Sequence, residues 1–385
     1  MKNFEFYNPV KIFFGKDTIS KLQDEISIDK KVLITYGGGS VLKNGIMEQV
    51  RKALKNHACV EFGDIEPNPK YHTLMRAVEV VKTENIDIIL AVGGGSVLDG
   101  TKFIAAATYY DGEYAYDICR KGAPIKRAVP ICDVMTLAAT GSEMNSGAVI
   151  SNAQTNEKFA FNSPLVFPQF SILDPQALFS LPKEQIANGI VDTYVHVMEQ
   201  YLTIPVNSPI QDRYSESLLL TLIEEADILM AETKASYDSY ANFMWAATCA
   251  LNGYNAVGVC VDWATHQIGH EITAITGLAH ARTLAIVLPG ILRTYKKSRQ
   301  EKLLQYARRI WNIKVEDANS AIEQAISKTE QFFNSVGIET SLHKCGFDKH
   351  LVSEIKERFE GRNQEFIGAL QVRTADITKI FESQI

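Results

Sequence analysis

One aspartate and three histidines stand at spacings suited to holding a metal ion. Asp192-Thr-Tyr-Val-His196 is one stretch; His266-Gln-Ile-Gly-His270 is another, and His280 follows it. In a helix, residues four apart share a face with Cβ atoms about 5–6 Å apart, so each stretch can present two ligands to one ion. Carboxylate oxygen with imidazole nitrogen suits Fe(II) or Zn(II). Such an ion polarises a carbonyl or acidifies a bound alcohol, so the chemistry on offer is Lewis-acid catalysis. Helical geometry alone pairs His266 with His270 and leaves the place of His280 open.

The N-terminal half carries a different chemistry. Two apolar runs end in the same tetrapeptide, Gly37-Gly-Gly-Ser40 and Gly93-Gly-Gly-Ser96. Glycines after a strand let backbone N–H groups approach a phosphate, and the next helix adds its positive end. Neither turn is a GxGxxG, because Leu98 stands where the third glycine belongs, and no P-loop pattern is present. Ser96 and Asp99 have the spacing of a capping box. At the end of the first run there is no acid to take a ribose 2′-hydroxyl, only Gly38, Gly39 and Ser40 with Lys43 close behind. That favours NADP(H) over NAD(H).

These residues need elements to hold them. Strands are expected at Lys31–Tyr36, Ala58–Phe62 and Ile86–Val92, with helices at about Val41–Asn56 and His72–Glu84 between them. Alternation of this kind indicates a parallel, Rossmann-like sheet. From Pro182 onward helical patterns follow one another: Lys183–Thr203, Pro209–Glu232, Tyr237–Gly258, a stretch through His266 and His270, Arg299–Trp311 and Val315–Val336. The reading is an α/β dinucleotide-binding domain, residues 1–180, followed by an all-α metal-binding domain, residues 181–385, with the site in the cleft between them.

Composition narrows the classes. A chain of 385 residues exceeds the roughly 250–300 that one core serves, hence two domains. A net charge of −6 and no dense Lys/Arg stripe argue against nucleic acid as partner. No apolar run approaches the roughly 20 residues that span a membrane. Six cysteines without CxxC spacing and a start without a signal-peptide core point to the cytoplasm. Glu199 is left without a role, Lys158 reads equally as a solvated cation in a turn, and Arg293–Arg299 reads as a solvated helix end.

Together the segments resemble the iron-containing (group III) alcohol dehydrogenases, along essentially the whole chain. Gly93–Lys102, Thr136-Leu-Ala-Ala-Thr-Gly-Ser-Glu143, Asn188–Glu199, and Asp262–Glu271 with His280 carry the likeness. It is strongest toward NADPH-dependent butanol dehydrogenases and broad-range aldehyde reductases. The resemblance implies a dehydroquinate synthase-like architecture and hydride transfer between NADP(H) and alcohols or aldehydes. It assigns the metal to Asp192, His196, His266 and His280, and frees His270 to move a proton. It places Gly94, Gly95 and Ser96 at the phosphates, with Asp99 holding that turn for the cofactor, and Gly38, Gly39 and Ser40 at the cofactor-selecting loop. It puts Asn68, Thr136, Thr140, Lys158 and Leu178 along the rest of the dinucleotide. It further implies a homodimer. Ala281 after the last ligand and Thr193 after the aspartate depart from the family pattern without removing a ligand. A glycerol-type polyol dehydrogenase and a dehydroquinate-synthase-like enzyme share the architecture and are the alternatives.

Overall fold

The strands of the computed structural model, which describes residues 1–231 and 235–384, follow in chain order. They are β1 (Lys11–Phe14), β2 (Lys31–Tyr36), β3 (Ala58–Phe62), β4 (Ile88–Gly93), β5 (Ile131–Met135), β6 (Gly147–Asn152), β7 (Glu157–Asn162) and β8 (Phe170–Leu173). Six of them make one parallel sheet in the order β1-β8-β5-β4-β2-β3. β4 and β5 are buried at every residue, as central strands of a parallel sheet must be when both faces are covered. Side chains alternate between faces. Val32, Ile34, Ile88, Leu90 and Val92 pack with Ile19, Leu22, Met47 and Val50 on one side. On the other, Thr35 meets Thr101 of helix Gly95–Ala107 through a buried 2.7 Å hydrogen bond.

Register brings the functional turns together. Tyr36 pairs with Val92 and Gly93 with Met135, so β2, β4 and β5 end side by side. β8 is the next neighbour of β5. Ligands of open parallel sheets bind along this carboxyl edge.

Several elements differ from expectation for local reasons. The helix expected at about Val41–Asn56 is two pieces, Ser40–Lys43 and Ile46–Ala53, because Gly45 is left-handed and Asn44 Oδ1 takes the Ile46 N–H. Residues around the expected turn at Gln154–Lys158 form the antiparallel hairpin β6–β7, which puts Lys158 on a strand, buried. The helix expected to reach Gly258 stops at Ala250. The end expected at Glu232 lies outside the described residues; the helix is described from Pro209 to Met230.

Two compact units result: Tyr7–Pro182 with Ser236–Thr248, and Met1–Phe6 with Lys183–Ala235 and Cys249–Ile385. The second is helical, as expected, with one short antiparallel ribbon formed by β9 (Phe366–Ile367) and β10 (Val372–Arg373). Helix Lys183–Tyr201 is buried without interruption from Gly189 to Tyr201. A helix enclosed on all sides can keep polar groups only where they find partners. Among the described residues no helix is long and apolar enough to cross a membrane.

Candidate functional site

Asp192, His196 and Glu199 lie on one face of helix Lys183–Tyr201, one turn apart. Helix Ala264–Thr276 brings His266 to them. Asp192, His196 and His266, all buried, offer ligand atoms within 4.8 Å of one another. His280 begins the following helix, His280–Thr294. Between the two helices Gly277, at φ +75°, ends the first in a left-handed turn that side chains disfavour. The chain therefore reverses at once and returns His280 to the cluster.

Asp192 Oδ1 sits at the middle. It is 3.7 Å from His196 Nε2, 3.9 Å from His266 Nε2 and 3.8 Å from His280 Nε2. These spacings are too long for hydrogen bonds. They are slightly wider than the roughly 3.3–3.6 Å separating tetrahedral ligands that share one ion at about 2.0–2.2 Å. Asp192 Oδ1 is buried and accepts no hydrogen bond. A buried carboxylate oxygen in that condition, ringed by imidazole nitrogens, fits a divalent cation. His270 stands to one side, its ring 5.0 Å from that of His280 and 6.3 Å from that of His266. The three imidazoles with Nε2 within 4 Å of Asp192 Oδ1 thus include that of His280, whose place helix spacing alone leaves open.

The supports of this cluster are as specific as its members. Glu199 Oε2 meets His266 Nδ1, and Glu199 Oε1 accepts the Thr265 N–H at 2.6 Å. A carboxylate on one ring nitrogen leaves the other for a metal. Burial, then the Asp262 carboxylate, pushes Glu199 well above the usual carboxyl range, while the Thr265 hydrogen bonds and Arg299 pull it back. His196 stacks on His266 with centroids 4.7 Å apart, and Trp263 meets His266 edge-on. The loop before His266 is tied down by the buried Asp262–Arg299 pair at 2.6 Å and by Asp262 N–H donating to the Glu199 carbonyl. Glu271, on the His266 helix, accepts from Arg358 and Arg362. Sequence alone gives Glu199 no role. Its spacing from Asp192 and His196 was the signal that could have identified it.

In the sheet unit, the residues expected to bind the dinucleotide lie where adjacent strands end. Gly38, Gly39 and Ser40 follow β2; Gly94, Gly95 and Ser96 follow β4; Thr136 and Thr140 follow β5; Leu178 follows β8 and is fully buried. Thr136 N–H donates to the Gly93 carbonyl at 2.9 Å. A Cβ on Gly95 would fall 2.3 Å from the Thr140 side chain, so only glycine permits this approach. Asn68, in a left-handed conformation, offers its N–H to Ser96 Oγ at 3.3 Å and its Oδ1 to Lys158 Nζ at 2.8 Å. Lys158 is therefore a buried partner of Asn68, not a solvated cation.

Asp99 corrects the capping-box expectation. Gly94, not Ser96, caps helix Gly95–Ala107, with no side-chain hydrogen bond. Asp99 instead accepts from Ser142 Oγ at 2.7 Å and from the Val149 N–H at 2.9 Å. Its carboxylate is spent on Ser142 of the loop beyond β5 and on Val149 of β6.

Known proteins match along both units. Residues 9–175 match the sequence model of the iron-containing alcohol dehydrogenases, and residues 186–385 match that of the C-terminal region of the same family. The chain is 48% identical to the NADPH-dependent aldehyde reductase YqhD of Escherichia coli, over 100% of each. It is 36% identical to the NADH-dependent butanol dehydrogenase A of Clostridium acetobutylicum, over 99% of each. The crystal structure of Escherichia coli YqhD superimposes with a TM-score of 0.97 at 47% identity, covering 100% of this chain and 99% of that one. That of NADH-dependent butanol dehydrogenase A from Thermotoga maritima gives 0.95 at 35% identity, with the same coverage. A carboxylate among imidazoles, glycine turns along a parallel edge and these full-length matches lead to one conclusion: the chain belongs to the iron-containing alcohol dehydrogenase family.

Proposed function

We propose that this protein is an NADPH-dependent aldehyde reductase of the butanol dehydrogenase type, exchanging hydride between NADP(H) and aldehydes or primary alcohols. The observation that carries the reading is Asp192 Oδ1, buried, without a hydrogen bond and surrounded by the Nε2 atoms of His196, His266 and His280. Relatives use either nicotinamide cofactor by name, so the choice rests on the end of β2. No acid follows β2 directly in the chain, a side chain on Gly38 would meet nothing within 4 Å, and Lys43 ends the short helix Ser40–Lys43 with its side chain exposed. Space and a nearby cation suit a 2′-phosphate; an NAD site would place a carboxylate there. Residues 1–180 would hold the dinucleotide and residues 181–385 the ion, Fe2+ or Zn2+. Assembly as a homodimer and residence in the cytoplasm complete the reading.

The ion, when bound by Asp192, His196, His266 and His280, supplies Lewis-acid polarisation of the substrate oxygen, and the dinucleotide supplies the hydride. The chain's own part is orientation and proton handling. Gly94, Gly95 and Ser96 anchor the phosphates, with Asn68 fixed between Ser96 and Lys158. Glu199 holds His266 by Nδ1, with Nε2 toward Asp192 Oδ1. His270, its ring 5.0 Å from that of His280, relays a proton to the product oxygen, since imidazole exchanges protons near neutrality.

Two measurements check this. Protein with its metal content determined should oxidise NADPH with straight-chain aldehydes such as butanal. It should do so faster than with NADH, and faster than it turns over glycerol with NADP+. A preference for NADH would reverse the cofactor assignment, and activity untouched by complete chelation would remove the metal from the reaction. His270→Ala should lower kcat about a hundredfold, the usual scale for a proton-transfer group, with metal content intact. Loss of the metal in that variant would make His270 a ligand instead.

A further inference from the structure

Lys102 lies on helix Gly95–Ala107, the helix that opens at the second glycine turn, and its side chain is wholly buried. Its ammonium donates to the carbonyls of Ser142, Asn145 and Gly147 at 2.7, 2.8 and 2.9 Å. It also donates to Ser142 Oγ at 2.9 Å and Asn145 Oδ1 at 3.1 Å. Four of the five acceptors lie in the loop between β5 and β6, and the fifth, the Gly147 carbonyl, is on the first residue of β6. A buried cation gathering main-chain oxygens fixes a loop much as a bound metal ion would. The same loop carries Thr136 and Thr140. Thr136 N–H is bonded to the Gly93 carbonyl, Thr140 packs against Gly95, and Ser142 N–H donates to Thr140 Oγ1 at 3.3 Å. Loop and glycine turn are therefore one mechanical piece.

Three carboxyl groups face this ammonium: Asp99 from its own helix, Asp133 from β5 and Glu143 from the short turn after Gly141. Each is held in place. Asp99 accepts from Ser142 Oγ and Val149 N–H, Asp133 from Ser171 Oγ at 2.5 Å, and Glu143 from Thr248 Oγ1 at 2.5 Å. Lys158, on β7, also acts on Asp99.

We propose that Lys102 is a positioning residue for the dinucleotide, shaping the Thr136–Gly147 loop so that Thr136, Thr140 and the Gly94–Ser96 turn form one surface for the cofactor. This deepens the proposed function and rests on its reading of those turns. Nothing in it requires Lys102 to touch the cofactor.

The test is the Kd for NADPH, read from quenching of protein fluorescence, for the native enzyme, Lys102→Met and Ser142→Ala. Lys102→Met should weaken binding about tenfold or more, because even one buried acceptor left unsatisfied corresponds to roughly that factor. Metal content per chain should not change. Ser142→Ala removes one of the five acceptors and should weaken binding to a smaller extent, which keeps the idea testable if the methionine variant fails to fold.

A pH series separates a local effect from unfolding. Burial pushes the Lys102 ammonium down to about 8, with Asp99, Asp133 and Glu143 opposing. As pH rises through that value the loop loses its cation, so NADPH affinity of the native enzyme should fall. The stability contributed by Lys102 moves the other way. Its folded pKa lies below the unfolded value, the unfolded chain binds more protons between about 8 and 10.5, and stability from this group rises across that window. Binding should therefore weaken without a matching fall in Tm. Native-like NADPH binding by both variants overturns the inference, as does a loss of binding that merely tracks a loss of Tm. Failure of the native enzyme to bind NADPH overturns the proposed function instead.

Discussion

Asp192→Ala should yield a folded protein that no longer retains its ion and turns over aldehydes roughly a thousandfold more slowly or worse, the equivalent of several kcal/mol of lost charge stabilisation. Asp192 is the one carboxylate among the four gathered residues, and its Oδ1 lies 3.7–3.9 Å from all three Nε2 atoms. Without it, three imidazoles face one another with no carboxylate oxygen among them to offset the charge of a cation. The metal-free protein should tolerate the change, because a buried oxygen lacking a hydrogen bond is itself unfavourable. Adding Fe2+ or Zn2+ should therefore raise the Tm of the native protein and leave the variant unmoved, since only a species that binds the native state stabilises it. A variant that keeps full metal occupancy and full activity would show that the ion, if any, sits elsewhere.

Glu199→Gln should weaken metal binding about 10- to 100-fold, the range expected when the partner of a ligating imidazole is lost. The argument turns on where one proton sits. Glu199 Oε2 meets His266 Nδ1, and Oε1 takes the Thr265 N–H. A glutamine can satisfy Thr265 through its carbonyl, but then its amide N–H2 faces Nδ1. That nitrogen must become an acceptor, and the ring proton moves to Nε2, the atom nearest Asp192. The side chain keeps its size while the imidazole presents the wrong tautomer. Competition with a graded series of chelators measures the effect apart from turnover, and circular dichroism confirms that the fold is kept. Unchanged affinity would reduce Glu199 to an anchor for the Thr265 backbone.

Much of the site was legible because its chemistry sits in short spacings. Asp192 with His196 occupies successive turns of one helix, and the two glycine tetrapeptides end neighbouring strands. What spacing could not convey depends on turns and distant partners. His266 and His270 share a helix face, yet Gly277 reverses the chain and sets His280 beside Asp192. Asp99 had the spacing of a cap, but Ser142 and Val149, more than forty positions along, offered its oxygens better partners. Lys158 lay in a polar stretch that reads as a turn, and only the β6–β7 pairing buries it against Asn68. The separation into units is likewise not a single cut: residues 1–6 join the helical unit and residues 236–248 the sheet unit. No local pattern signals such exchanges, which reflect tertiary packing.

Helix Lys183–Tyr201, enclosed from Gly189 to Tyr201, carries two of the gathered residues and the carboxylate that steadies a third. Backbone amides in so enclosed a segment give up their protons to deuterated solvent only when the surrounding structure opens. The half of the candidate cage that this helix supplies therefore belongs to a segment whose amide exchange should be slow. An ion entering or leaving such a cage would meet a main chain that stays in place.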